Sequence, residues 1–487
     1  MFLKHAHRVK DFEACNGYHL DSDVYLAVVD FLSHRDIPDG ARSVMFPHLL
    51  SYEESCVLGP DPGRGTNEFN TPRWIPKYAQ YICGDSLKSF TLKSCVRSFC
   101  DHGLSGDWSR CSDLIMVLST LGLNWPRLER LSLGYHCSMG FDLRESFYQA
   151  FGAFVTEFHN LRSLCSVMNA ENTAIIPVAE LPLLRYWEVE LWNCVSSPTS
   201  FQPPSRAFTN LQELDLAVYY SDPQRLIVFL DAIGPTTSLK TMAIESHFSG
   251  DETLQPWSDA DLHRFMYAIS RSSSLQSLSV YGRRDIPGTF TGKHLAHLLP
   301  LRHMREFTQR AFKDTMLTDS DIQKMAMCWP ELAMFRCLDG QWNSWLPPSR
   351  AEIEASVRPS IFAVHALCSQ CPQLDWLEIS MKGATRSLSS TSLTDILASL
   401  KNPRQIILEL YVTDVVDDRE RSLIQLLLRM LFPLEPSINF RFWYEEHDSM
   451  FVRSTLFMED FGVRELDLAQ ATRRLEEVIS QSTSLEA

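Results

Sequence analysis

One spacing recurs through most of this chain and limits what it can fold into. The stretch Leu87-Lys88-Ser89-Phe90-Thr91-Leu92-Lys93-Ser94-Cys95 places apolar residues in an L-x-x-L-x-L-x-x-C frame. The frame returns with Leu128, Leu131 and Leu133, with Leu184, Trp187 and Val189, and with Leu211, Leu214 and Leu216. It returns again with Leu239, Met242 and Ile244, Leu275, Leu278 and Val280, Leu332, Phe335 and Cys337, and Leu374, Leu377 and Ile379. Weaker copies stand at Leu161 and Leu164, Met304 and Phe307, Leu408 and Leu410, and Phe440 and Phe442. Apolar residues two apart point to one face of a strand. The residue three earlier anchors the turn into that strand. A single unit cannot bury its own apolar face, so such units stack and share a core.

Between the strands lie helical patterns with i, i+3, i+4 apolar spacing. They cover Asp113 to Leu121, Pro223 to Ile233, Asp259 to Ser272, a segment opened by Thr318-Asp319-Ser320-Asp321, Pro359 to Cys371, and Arg421 to Leu431. A proline often stops the helix just before the strand anchor, as in Trp125-Pro126, Leu181-Pro182, Trp329-Pro330 and Cys371-Pro372. The anchors recur at roughly 23 to 42 residue intervals, longer than the common leucine-rich repeat. The expected fold is therefore α/β: an irregular leucine-rich-repeat solenoid, ribonuclease-inhibitor-like, over residues 87–487. Glu465 to Ile479 reads as a C-terminal capping helix. The competing reading is another α/β protein with coincidental L-x-x-L-x-L strings.

Composition narrows the function. The chain has 487 residues, 45% of them hydrophobic, enough for a large core. Its net charge of −15 disfavours a long phosphate-tracking surface, so no nucleic-acid partner is expected. Thirteen scattered cysteines, an odd number in a long chain, fit a reducing compartment. The N-terminal residues lack an apolar signal core, and no apolar run is long enough for a membrane span. A cytoplasmic or nuclear protein without a membrane partner is expected.

Residues before Leu87 do not follow the frame. Leu20 to Leu32 reads as a short amphipathic helix capped by Asp21 or Ser22, with Val24, Val28 and Phe31 or Leu32 on one face. Leu20, Asp23, Val24, Val28, Phe31, Leu32, Asp36 and Ile37 occupy, in order, the places of the first half of an F-box, with Asp21 where that pattern has proline. The segment resembles an F-box over about 30 residues. Its second half is degenerate: Val44, Met45 and His48 lie near the V-C-x-x-W element, and Pro38, Gly40 and Pro47 interrupt the helix. With the repeats that follow, and with Trp74 to Tyr81 resembling an entry segment, the whole is similar to the divergent fungal-type F-box/leucine-rich-repeat proteins. That resemblance implies a substrate receptor of a cullin–RING ubiquitin ligase. Leu20, Val24, Val28, Phe31, Leu32 and Ile37 would then contact the Skp-type adaptor, and the repeats would hold a protein substrate. A helix that merely caps the solenoid, on a stand-alone binding scaffold, is the alternative. The expected division is 1–50 for the helical segment, 51–86 for a linker and entry segment that includes the Gly/Pro-rich Gly59 to Thr66, and 87–487 for the repeats.

Catalytic motifs do not emerge. Cys368-x-x-Cys371 lacks a second ligand pair and reads as core cysteines. His297 and His303 look incidental beside a helix–strand junction, and Glu445-Glu446-His447-Asp448 reads as a solvated loop. No cofactor, metal or catalytic residue is expected, and the chain is read as a binding protein and not an enzyme. Partner contacts are expected from residues that alternate with the buried strand positions: Glu188, Glu190, Asp215, Glu245, Tyr281, Tyr411, Arg441 and Trp443, with Ala217 and Glu378 on the same face. Glu188, Glu190, Asp215 and Glu245 together would select a basic partner. The loop Gln341 to Pro348, with Trp342 and Trp345, either packs on the repeats or contacts a partner.

Overall fold

The computed structural model describes residues 8–14, 46–57, 83–95, 125–135, 151–169, 172–192, 207–218, 223–236, 238–247, 257–338, 357–381, 407–412, 437–442 and 452–457. The F-box-like segment, the Gly59–Thr66 stretch, the Gln341–Pro348 loop, Glu445–Asp448, the Asp113–Leu121 and Arg421–Leu431 patterns and the C-terminal Glu465–Ile479 lie outside them. The chain divides into two compact units, residues 1–220 with 224–239, and residues 221–223 with 240–487. Both are α/β, with parallel strands joined in chain order.

The first unit holds strands β1 (Asp11–Ala14), β2 (Ser51–Val57), β3 (Ser89–Cys95), β4 (Arg130–Tyr135), β5 (Ser163–Asn169), β6 (Tyr186–Trp192) and β7 (Glu213–Val218). Each pairs with the next in parallel. Helix α1 (Asn172–Ala179) lies between β5 and β6, and α2 (Pro223–Ile233) follows β7. Leu87, Leu128, Leu161, Leu184 and Leu211 are buried anchors, as the frame predicts. The next inward row runs in register through Phe12, Tyr52, Phe90, Leu131, Leu164, Trp187 and Leu214. Its aromatic members stack: Phe12 on Tyr52 and Tyr52 on Phe90, each with ring centroids 5.5 Å apart, and Phe90 on Trp125 at 6.0 Å.

The repeat frame begins earlier than the sequence suggests. β1 and β2 lie before Leu87 and pair into the same sheet, so residues 51–57 are strand and not linker. Leu49 is a fully buried anchor equivalent to Leu87, and Tyr52 stands in register with Phe90. Aromatic residues in place of leucine hide the frame there.

One backbone device repeats at the entry of each strand from β2 to β7. The carbonyl of Lys10 accepts the N–H of both Leu50 and Ser51. In the same way Leu50 accepts from Lys88 and Ser89, Lys88 from Glu129 and Arg130, Glu129 from Arg162 and Ser163, Arg162 from Arg185 and Tyr186, and Arg185 from Gln212 and Glu213, at 2.7–3.1 Å. Both lone pairs of one carbonyl are thus used to fix the next strand. The turn before each anchor is closed in its own right, as by Leu128 N–H on Trp125 O (3.1 Å) and Leu87 N–H on Gly84 O (3.2 Å).

The second unit holds β8 (Thr241–Ser246), β9 (Ser277–Thr291), β10 (Glu306–Met316), β11 (Met334–Cys337), β12 (Trp376–Met381), β13 (Ile407–Val412) and β14 (Ser437–Phe442), again parallel in chain order. The last strand, β15 (Val452–Phe457), pairs antiparallel with β14, a reversal the frame does not foretell. Its helices are α3 (Asp259–Ser270), α4 (Gly292–Leu295, one turn), α5 (Asp319–Cys328) and α6 (Ile361–Gln370). The shared-carbonyl pattern persists: Lys240, Gln276, Arg305 and Ala333 each accept two N–H groups, at 2.6–3.1 Å. The helices start at capping residues. Ser258 caps α3 and Thr318 caps α5, each answered by an aspartate three residues on, Asp261 and Asp321. Strands β9 and β10 run on beyond the usual length, with register shifts near Phe312, and β9 ends on Thr291, the residue that caps α4. Cys371 and Cys337 are buried, and burial pushes the Cys371 thiol up to about 12, in keeping with a core cysteine. Among the described residues no helix is long and apolar enough to cross a membrane.

Gly84 shows how tightly the first strand entries are packed. A Cβ built there would lie 2.5 Å from the Pro47 carbonyl oxygen and 2.8 Å from its Cα, both backbone atoms. Gly84→Ala is expected to destabilise the protein by about 1–3 kcal/mol through overpacking. A urea midpoint equal to that of the wild type would contradict this packing.

Candidate functional site

The outward positions of β6 and β7 gather the largest concentration of acidic side chains among the expected partner contacts. Register sets Tyr186 beside Glu213, Glu188 beside Asp215 and Glu190 beside Ala217. The inward neighbours Trp187, Val189, Leu214 and Leu216 are buried, so the period of two turns these four carboxylates to the other face. Like charges directly opposite one another on neighbouring strands are destabilising. Tyr186 offsets part of that cost: its hydroxyl lies 2.9 Å from Asp215 Oδ2 and 3.1 Å from Glu188 Oε2.

The electrostatics carry the mark of this crowding. Burial raises the Asp215 carboxyl above its ordinary range; the Tyr186 hydrogen bond opposes the shift, and Glu188 and Glu213 add to it. Burial, then Asp215 and Glu188, push the Tyr186 phenol well up. Cys165, in register with Glu188, is pushed up to about 12 by burial and by that glutamate, so it is no nucleophile. The face is therefore strongly electronegative and donor-poor, suited to Lys or Arg side chains.

In the second unit the expected contacts fare differently. Glu245 lies in register with Tyr281, and Tyr281 with Arg310. Glu245 Oε1 is 3.0 Å from His247 Nε2, so that carboxylate already has a partner just past the end of its own strand. Glu378, expected to face outward beside a partner, is fully buried. It is in register with Arg336, whose Nε donates to Glu378 Oε2 at 2.7 Å, and the Arg310 guanidinium pairs with the same oxygen. Arg336 also lies over the Trp376 ring, 4.9 Å from its centroid. Two guanidinium groups thus close over Glu378, and it offers nothing to a partner. Tyr411 and Arg441 are adjacent in register on β13 and β14, with no side-chain placement described; Trp443 and the adaptor-binding Leu20, Val24, Val28, Phe31, Leu32 and Ile37 lie outside the described residues.

A second cluster went unread in the sequence. Asp259 and His263, one turn apart on α3, meet His294 of α4, with donor atoms all within 4.8 Å of one another. His297 joins them, its Nε2 2.8 Å from His263 Nδ1, so it is not incidental. The spacing suits a metal ion, but the protonation does not. Thr291 N–H donates to His294 Nδ1 at 3.0 Å, so the neutral ring carries its proton on Nε2, the atom that faces the cluster. A histidine ligand needs the reverse, a lone pair toward the metal and a donor on its other nitrogen. The donor set does not fit a metal.

Two outcomes follow from these charges. The Asp215 pKa is raised on folding, so its penalty is absent in acid and grows as pH rises through the folded value. Asp215→Asn, which keeps an acceptor for Tyr186, should raise the melting temperature by about a degree or more at neutral pH, and the gain should fade toward pH ~4. An equal gain at both pH values would contradict this account. Glu378→Ala strands two guanidinium groups and should cost about 3 kcal/mol; a change within error in chemical denaturation would show that solvent already screens the pair. No protein-family model and no curated protein matches the chain.

Proposed function

We propose that the chain is an irregular leucine-rich-repeat protein that binds another protein on its strand face, and that it presents that partner for ubiquitin transfer as the substrate receptor of a cullin–RING ligase. The observation that carries the binding reading is the opposition of Glu188 and Asp215 on neighbouring strands, with Glu190 and Glu213 beside them. Held together at a cost, these carboxylates gain most from a partner that brings cationic side chains. The ordered stack of parallel strands, many of them entered through buried anchors such as Leu87, Leu128, Leu211, Leu275 and Leu374, supports the leucine-rich-repeat reading. The ligase reading rests on the resemblance of Leu20 to Ile37 to an F-box, and with it goes a place in the cytoplasm or nucleus. A stand-alone binding scaffold is the second reading, favoured by the prolines and glycine that interrupt the second half of that segment.

The test uses the full chain, because β1 and β2 belong to the sheet and residues 1–86 are not separable from it. Capture of the purified Skp-type adaptor by the wild type, abolished by Val28→Asp with Leu32→Asp in a protein that keeps its melting temperature, is the expected result. No capture by folded wild-type protein sinks the ligase reading and leaves the scaffold.

A further inference from the structure

The cluster at α3 and α4 has a chemistry independent of the strand face. In each neighbouring repeat the residue that answers the N-cap is an aspartate, Asp261 for Ser258 and Asp321 for Thr318. In α4 that place is taken by His294, whose Nδ1 accepts the Thr291 N–H at 3.0 Å and lies 3.1 Å from Thr291 Oγ1. An aspartate holds its cap at any pH above the carboxylate range. An imidazole holds it only while neutral, because protonation consumes the Nδ1 lone pair that accepts the bond.

The surroundings sharpen the dependence. His294 is fully buried, with the Phe290 ring 6.0 Å away. Its ring centroid is 4.7 Å from that of His263, and His263 in turn pairs with His297 at 2.8 Å. That short contact needs one nitrogen with a proton and one without, so the two rings cannot both be imidazolium and keep it. Tyr267 lies at the edge of His297, ring centroids 6.2 Å apart. From α5, the Asp321 carboxylate packs against Gly292, but it is engaged by Thr318 N–H at 3.0 Å and Thr318 Oγ1 at 2.7 Å. Lys293, exposed in the same turn, adds a positive charge. Among the described residues the carboxylate that faces the rings is Asp259, 3.5 Å from His263 Nε2 and 3.0 Å from His294 Nε2 but off the axis of the His294 N–H, and largely in solvent. Three imidazoles therefore share a single, screened counter-charge.

We propose that the α3–α4 contact, where His294 and His297 meet His263, is a pH-sensitive joint, closed while His294 and His297 are neutral and released when acid protonates them. Protonation of His294 breaks the cap on Thr291, places a positive charge at the start of a helical turn, where the exposed N–H groups already repel it, and sets that charge against His263. The direction of titration agrees: burial and then His263 lower the pKa of His294 against the opposing pull of Asp259, and burial and then His263 lower that of His297. A histidine whose folded pKa lies below its ordinary value contributes stability that is complete above that value and lost as pH falls through and below it. The joint is therefore closed at neutral pH and loosens in mild acid.

Hydrogen exchange on the full chain, normalised for the intrinsic pH dependence of exchange, reads this directly. Protection of peptides spanning residues 286–300 is expected to fall about tenfold or more between about pH 7.5 and pH 5.5, while β8 peptides hold theirs. His294→Asn keeps an acceptor for Thr291 and cannot titrate, so it should hold its protection at both pH values. Should that variant fail to fold, His263→Asn removes the imidazole that opposes protonation of His294 and should move the loss to higher pH. Protection in the wild type that does not change with pH would overturn the proposal, as would an equal loss in His294→Asn. Zn2+ raising protection at neutral pH in the wild type but not in His263→Asn would overturn it in favour of a metal site.

Discussion

Much of the described fold rests on one carbonyl at each entry from β2 to β7 and from β9 to β12. Each such oxygen receives the N–H of the two residues that open the next strand, and the ladder bonds follow from there. The device fixes the register of each pair before any side chain is considered. With register fixed, anchors fall over anchors and the inward rows become continuous, as from Tyr52 to Phe90 to Leu131. A slip by one residue would turn the whole apolar set outward. The side chains of the same positions add a weaker tie at the surface: Lys88 Nζ is 3.0 Å from Glu129 Oε1, and it holds that carboxyl below its usual range. The backbone bonds are the constraint, and exposed ion pairs such as this contribute little.

The parts of the fold legible in the sequence were those in which leucine does both jobs, anchor and first inward residue. Leu128 with Leu131 and Leu211 with Leu214 announce their strands, and helix α2 begins and ends where the apolar spacing puts it. Leu49 with Tyr52 does the same work, yet an aromatic residue in a run of otherwise polar ones carries no visible period. The site was less legible for a different reason. Glu188 lies between Trp187 and Val189, and Glu378 between Leu377 and Ile379, so the local pattern is the same. Their fates differ because register puts Asp215 beside one and Arg336 beside the other. A period of two tells which side a residue faces; it does not tell what the next strand brings. The histidine cluster is a stronger case, since His263 and His294 lie on separate elements, and only the run-on of β9 brings α4 to α3.

The acidic rows of the first unit and the arginine-closed glutamate of the second illustrate two treatments of charge on strand faces. Opposite charges meet over Glu378, and the cost of burying the carboxylate is offset within the protein. Over β6 and β7 the charges are alike, and one tyrosine hydroxyl is all that joins Glu188 to Asp215.

Because the shared carbonyls join only consecutive strands, the residues that must find each other in folding lie one repeat apart along the chain. Loop closure over such distances costs little more for a long connection than for a short one. The uneven anchor intervals are thus no burden, and an insertion between helix and anchor leaves the backbone bonds of its neighbours intact. Within each unit, order can spread from any formed pair of strands to the next, and under tension it would be lost in the same piecewise way, one strand entry at a time.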